Sequence, residues 1–209
     1  MVRFSIFGIP VEVQPFFWVT LVLIGGALGA DSASAILQTL LFVLAGFISI
    51  LVHELGHALT ARKFGAYSAI VLQAFGGIAH HSGVRLSRPQ SFTVTAAGPL
   101  LQIALGLAVW FALPHLTELK PHAAYFFVTL MGISFIWALL NLLPILPLDG
   151  GQMLHAILGP KREKITLWTT IICASLIGAI YFMRTGSFIL PIFMGLFAWQ
   201  AWQALKQRG

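Results

Sequence analysis

Charge is what this chain of 209 residues has least of: 12 Lys and Arg with 6 Asp and Glu make up only 9% of it, against about 25% in soluble globular domains. That shortage excludes a water-soluble globule. There is a single cysteine, Cys173, so no internal disulfide can form and cysteine is silent about redox compartment. The formal net charge of +6 does not indicate a nucleic-acid partner, because the basic residues are scattered between apolar runs and form no patch. Internal repeats, low-complexity tracts and long linkers are missing too. So is a start of the cleavable type, with a basic region, an apolar stretch and a small-residue cleavage site. The expectation is one domain over residues 1–209 with no appended soluble domain.

Apolar residues fill the chain instead, 58% of it. Six runs, 15–30, 34–61, 92–113, 123–146, 165–183 and 187–204, approach the ~20 residues that cross a bilayer, the first being the shortest. With the N-terminus inside, Arg3, Arg62, Lys63, Arg85, Arg88, Lys161, Arg162, Lys164, Lys206 and Arg208 fall on one side and only Lys120 and Arg184 on the other. That asymmetry places both termini in the cytoplasm and requires an even number of spans. The small size points to a prokaryotic plasma membrane.

Two shorter stretches do not read as spans. Residues 4–13 are β-branched and partly alternating, with Gly8-Ile9-Pro10 in the middle, which predicts a short strand or hairpin at the interface. Residues 67–79 are apolar but too short to cross, and Gly76-Gly77 interrupts them. A re-entrant hairpin beside a wet cleft and an interfacial amphipathic segment are both open readings. The expected fold class is an all-α polytopic membrane protein of about six transmembrane helices with a short membrane-associated β-hairpin or re-entrant loop. The core spans are 34–61, 92–113 and 123–146.

The most informative residues are His53-Glu54-Leu55-Gly56-His57, inside the second run. Histidines at i and i+4 share one helix face, where their imidazoles can hold one metal ion, and Glu54 between them can reach a metal-bound water. By chance the pattern HExxH arises in a chain of this His and Glu content about once in two hundred. A hydrogen-bonded core pair is the bland alternative. An ion-pair role for Glu54 is disfavoured because no basic residue shares its helix before Arg62.

Only six residues are acidic, and two, Glu54 and Asp149, lie at the ends of apolar runs, where a carboxylate is costly without a partner. Asp149 closes the run Asn141-Leu142-Leu143-Pro144-Ile145-Leu146-Pro147-Leu148-Asp149-Gly150-Gly151. Two prolines three apart cannot continue a regular helix, so the fourth run unwinds near its cytoplasmic end. His53, His57 and Asp149 then make three ligands with a fourth position open to water, the pattern of a catalytic zinc site. One divalent cation with ionised Glu54 and Asp149 sums to zero formal charge, which a low-dielectric site tolerates. Alternatively, Asp149 N-caps a short helix ending near Gly159-Pro160.

The HExxH residues, Asn141 and the Pro144, Pro147, Leu148-Asp149-Gly150 run resemble the site-2 protease family of intramembrane zinc metalloproteases. The likeness extends to Ser5-Ile6-Phe7-Gly8-Ile9-Pro10 and Ala97-Gly98-Pro99. It implies a core of the second to fourth spans, one zinc per chain on His53, His57 and Asp149, and transmembrane protein substrates. It also makes the Asn141 amide a donor to the substrate or its oxyanion, where the residues alone allow a plain interhelical contact. The family often has Asn three residues after the Gly-Pro proline; here that residue is Gln102, to which no role is carried over. His80-His81, His115 and His122 read as solvated loop histidines, and His155 as a neighbour of the site without ligation.

The expected function is hydrolysis of a peptide bond within or near a transmembrane segment, with Glu54 as general base. A helical substrate must unwind first, and residues 67–79, with Gly76 and Gly77, form the candidate edge for pairing with its backbone. The rival classes are a divalent-metal transporter, which needs polar residues spaced along a path, and a pseudoprotease that binds transmembrane partners without cutting them.

Overall fold

The structure, a computed structural model, describes residues 1–74, 76–116 and 119–207. Phe75, within the expected hairpin, and Arg208, among the cytoplasmic basic residues, lie outside the described residues. The chain forms two compact units, Met1–Leu86 with Ala97–Leu139, and Ser87–Ala96 with Leu140–Gly209.

The first unit opens with strands β1 (Val2–Ile6) and β2 (Ile9–Val13). They pair antiparallel about Phe7-Gly8, whose φ angles of 51° and 73° are those of a two-residue hairpin turn with both central residues left-handed. Arg3 and Glu12 sit opposite each other across this hairpin and form an ion pair at 2.9 Å. Helix α1 (Pro15–Ile24) starts on a proline, which costs nothing at a first turn, and leads to helix α2 (Ala33–Lys63), capped by the Ser32 hydroxyl accepting from the Ala35 amide. Strands β3 (Tyr67–Gln73) and β4 (Gly76–Ser82) follow. Helices α3 (Arg88–Ala112), from residue 97, and α4 (Pro121–Asn141), to residue 139, complete the unit.

The expected hairpin is half of something larger, a four-stranded mixed sheet in the order β1-β2-β3-β4. β2 and β3 pair in parallel, with Val11 opposite Ile70 and Val13 opposite Leu72. Period-two alternation puts Ile9, Val11, Val13, Ile70 and Leu72 on one face, all buried against Phe17 and Leu21 of α1 and Ile50, Leu51, Leu55 and Ala58 of α2. The sheet is thereby seated on the very turns of α2 that carry His53-Glu54-Leu55-Gly56-His57.

Among the described residues, four helical stretches are long and apolar enough to cross a membrane: Ala33–Lys63, Arg88–His115, Pro121–Asn141 and Pro160–Thr185. The run at 15–30 instead gives the ten-residue α1, ~15 Å long against a ~30 Å hydrocarbon core. Gly26, in the left-handed region at φ 89°, turns the chain straight after it. The run at 187–204 falls on helix α7 (Ile189–Lys206), where Gln200, Gln203 and Lys206 dilute its last two turns. Phe111, Leu139 and Met183 stand well exposed on these helices, as contact with lipid allows.

In the second unit the chain unwinds after Asn141 and restarts as helix α5 (Asp149–Leu158). Helix α6 (Glu163–Thr185) and α7 follow, joined through Gly186 at φ 67°, and Trp168 of α6 meets Trp202 of α7 edge-on at 6.2 Å. Arg88 donates from Nε to the Ala156 carbonyl at 2.8 Å and from Nη2 to that of Ile157, closing the carbonyl end of α5.

Candidate metal centre

Helical spacing alone brings the two histidines of α2 together. His53 and His57 are both buried, with 3% and 7% exposure, and their Nε2 atoms lie 3.0 Å apart. Two nitrogens bound tetrahedrally to one zinc at ~2.0–2.1 Å stand about 3.3–3.4 Å apart, so this pair needs to open by only a few tenths of an ångström to share an ion. The donor set therefore fits the metal. The rings meet at 81°, which lets both nitrogens point at one spot without stacking.

Two glycines make room for this pair. A Cβ on Gly56 would lie under 3.0 Å from the Ala97 and Gly98 backbone, and a Cβ on Gly98 equally close to Nε2, Cε1 and Cδ2 of His57. Helix α3 thus packs backbone-on against the turn of α2 that carries the histidine pair, and the small residues of Ala97-Gly98-Pro99 have their physical reason there. Residue 102 comes in one turn further along α3: Gln102, fully buried, places Oε1 3.0 Å from His53 Nδ1 and Nε2 2.8 Å from Ser49 Oγ. Ser49 is itself 3.0 Å from Ser134 Oγ on α4. Neither serine stands out in the sequence, although Ser49 lies four residues before His53 and so on the same helix face.

Glu54, also buried, points toward the sheet. A Cβ on Gly77 would fall under 3.0 Å from Glu54 Cγ, Cδ and Oε1, so the carboxylate rests on the bare backbone of β4. Gly76 precedes it at φ 142°, a conformation reserved for glycine. Beside them is a cavity of about 290 Å³ lined by Gln14, Phe16, Gln73, Ala74, Gly76 and Gly77. His80 and His81 lie on β4 and not in a loop, with side chains on opposite faces. Desolvation, then electrostatic repulsion on protonation from His57 and His80, lowers the His81 pKa below its ordinary value.

Asn141 and Asp149 belong to the second unit. Asn141 is the last residue of α4. Asp149 is buried at the first position of α5; Leu148 holds the N-cap place, so the carboxylate is not the cap that the sequence left open. The loop before it is tightly folded: a Cβ on Gly150 would strike the Leu142 and Leu143 carbonyl oxygens and one on Gly151 the Ile145 backbone, all under 3.0 Å. Thr170 Oγ1 accepts from the Leu146 amide at 3.0 Å and ties that loop to α6. His155, on α5, is half-buried.

A buried HExxH turn on a helix long enough to span a bilayer, with a sheet edge against its glutamate, defines a membrane-embedded metallopeptidase-like centre. Comparison with known proteins agrees. Residues 115–183 match the model of Peptidase family M50. A zinc metalloprotease of Methanocaldococcus jannaschii is 31% identical over 159 residues, covering 76% of this chain and 45% of that protein. A putative zinc metalloprotease of Synechocystis is 32% identical over 207 residues, covering 88% and 54%. The chain thus spans about half the length of these two relatives. The solved site-2 protease from Methanocaldococcus jannaschii has the same fold, with a TM-score of 0.65 and 27% identity over 97% of this chain and 94% of that one. In sequence and in fold the chain is thus similar to zinc metalloproteases of the site-2 protease type.

Proposed function

We propose that the protein is an intramembrane zinc metalloprotease that hydrolyses a peptide bond within or at the edge of a transmembrane segment of a membrane-protein substrate. The observation that carries this reading is the contact with Gly77 of Glu54, which lies between the two histidines on α2. That contact supports a reading of Glu54 as a general base beside an edge strand. An unwound substrate segment has lost its helical hydrogen bonds, and pairing along β4 replaces them while presenting a backbone carbonyl at the level of Glu54.

His53, His57 and Asp149 hold the zinc, two as neutral imidazoles and one as a carboxylate. Bound there, zinc supplies Lewis-acid polarisation of the scissile carbonyl and lowers the pKa of water toward ~7. Glu54 takes the proton from the attacking water at a carboxylate oxygen and returns it to the leaving amine. Asn141 donates its amide to the substrate or to the developing oxyanion. Gly76 and Gly77 keep the strand free of side chains where the substrate backbone must approach.

The protein is a multi-pass component of a prokaryotic plasma membrane with both termini cytoplasmic. In support of that orientation, Arg62 at the end of α2 donates to the Phe7 carbonyl at 2.5 Å, which puts the N-terminal hairpin at the same level as the Arg62-Lys63 pair. The deciding experiment is Glu54→Gln, nearly isosteric but unable to take a proton. Zinc content should stay at one ion per chain while cleavage of a transmembrane reporter falls by about 10² to 10⁴-fold. Wild-type cleavage by this variant, or metal flux through reconstituted wild-type protein, would refute the protease reading.

A further inference from the structure

We infer that Gln102 is a positioning residue for the metal centre: it fixes His53 in the tautomer whose Nε2 is a bare lone pair, and a directed chain of hydrogen bonds through Ser49 and Ser134 holds Gln102 itself in place. This rests on the reading of His53 as a zinc ligand.

The argument follows the donors and acceptors. Gln102 Nε2 lies 3.3 Å from the Ser49 backbone carbonyl, which can only accept, and 2.8 Å from Ser49 Oγ. The amide must therefore turn its NH₂ toward Ser49, because a flipped amide would set oxygen against oxygen. Its Oε1 is then the group facing His53 Nδ1 at 3.0 Å, and an oxygen there can only accept. His53 Nδ1 consequently carries the hydrogen, and in a neutral imidazole Nε2 is left as the acceptor. That is the nitrogen lying 3.0 Å from His57 Nε2.

The far end of the chain is directed too. Ser134 Oγ donates to the Leu130 carbonyl at 2.7 Å, so it receives the hydroxyl of Ser49 at 3.0 Å, which leaves the Ser49 oxygen to accept from Gln102. The order of donation is His53 to Gln102 to Ser49 to Ser134 to Leu130. Acceptor-only backbone carbonyls fix its sense at two points. Gln102, Ser49 and Ser134 are each fully buried, so no water substitutes for a missing member. The chain crosses α2, α3 and α4, and it holds the imidazole at fixed tilt by bonds rather than by packing alone.

The test measures zinc affinity by chelator competition in detergent-purified full-length protein, together with the visible spectrum of the Co²⁺ form. Gln102→Met keeps the shape of the side chain and removes the acceptor; it should weaken zinc by about 10 to 100-fold and shift the Co²⁺ bands. Ser49→Ala leaves the Ser49 carbonyl as a partner for Gln102 and should cost less, while Gln102→Glu, which faces that carbonyl with a second acceptor, should not restore wild-type affinity. In a His53→Ala background Gln102→Met should add nothing further. Wild-type zinc affinity and Co²⁺ bands in Gln102→Met would overturn the inference while leaving His53 a ligand if His53→Ala still loses metal. Should His53→Ala keep its zinc, the ligand reading itself fails. If Gln102→Met does not fold, an unchanged zinc affinity and Co²⁺ spectrum in Ser49→Ala, despite loss of its 2.8 Å bond, would refute the chain.

Discussion

Replacing Gly77 with alanine should disable the proposed cleavage without touching any of the proposed metal ligands. The new methyl carbon would stand 2.6 Å from Glu54 Cδ and 2.7 Å from Oε1, where ordinary contact begins at 3.4 Å. Glu54 must therefore retreat by about 0.8 Å at the carboxyl carbon, since β4 is held by its ladder to β3. A misplacement of ~1 Å in a reacting group can cost 10²-fold, equivalent to about 2.7 kcal/mol on the barrier. The backbone of Gly77 does not itself demand glycine, since its φ is not positive, so the loss comes from the contact and not from strain in the strand. Cleavage of a transmembrane reporter in proteoliposomes should drop about 100-fold while bound zinc stays at one per chain. Gly132→Ala, where a Cβ meets nothing within 4 Å, serves as the control and should be silent. A Gly77→Ala protein that cuts at the wild-type rate would show that Glu54 does not need the position seen here. Equal loss of zinc and activity would mean that the strand supports the fold and not the base.

Other outcomes follow from the same geometry. Gly98→Ala should reverse the pattern, because its methyl meets the His57 ring under 3.0 Å; zinc affinity should fall by about tenfold or more, read by chelator competition, with cleavage following it. Asp149→Ala should weaken zinc beyond the ~10 to 100-fold typical of an outer partner, and undiminished zinc would reduce Asp149 to a favourable charge in the first turn of α5.

Much of the site was legible because it is local. The i, i+4 spacing of His53 and His57 with Glu54 between them needs only helical geometry, and an apolar run with so few charges supplies the helix. Pro144 and Pro147 announce the break that restarts the chain at Asp149, and Gly159 announces where α5 ends. Other features have no local signature. The parallel pairing of β2 with β3 joins residues nearly sixty positions apart, Val11 with Ile70. Short apolar segments do not declare their partners, so a hairpin at 67–79 could be read but not the four-stranded sheet it completes. The same holds for α1: the run at 15–30 looked like a marginal span, and the turn at Gly26 together with docking of Phe17 and Leu21 on the sheet made it a short supporting helix.

The sequence by itself determined the solvent, the paired histidines and the carboxylate between them, since composition and helical periodicity act over a few residues. Only the tertiary structure decided what those residues face. That Glu54 rests on Gly77, that Gly98 yields its side chain to His57 and that Gln102 Oε1 meets His53 Nδ1 are contacts between elements distant in the chain. Such contacts depend on sub-ångström packing of backbones whose approach is set by all the residues between them, which no pattern of residue types encodes locally.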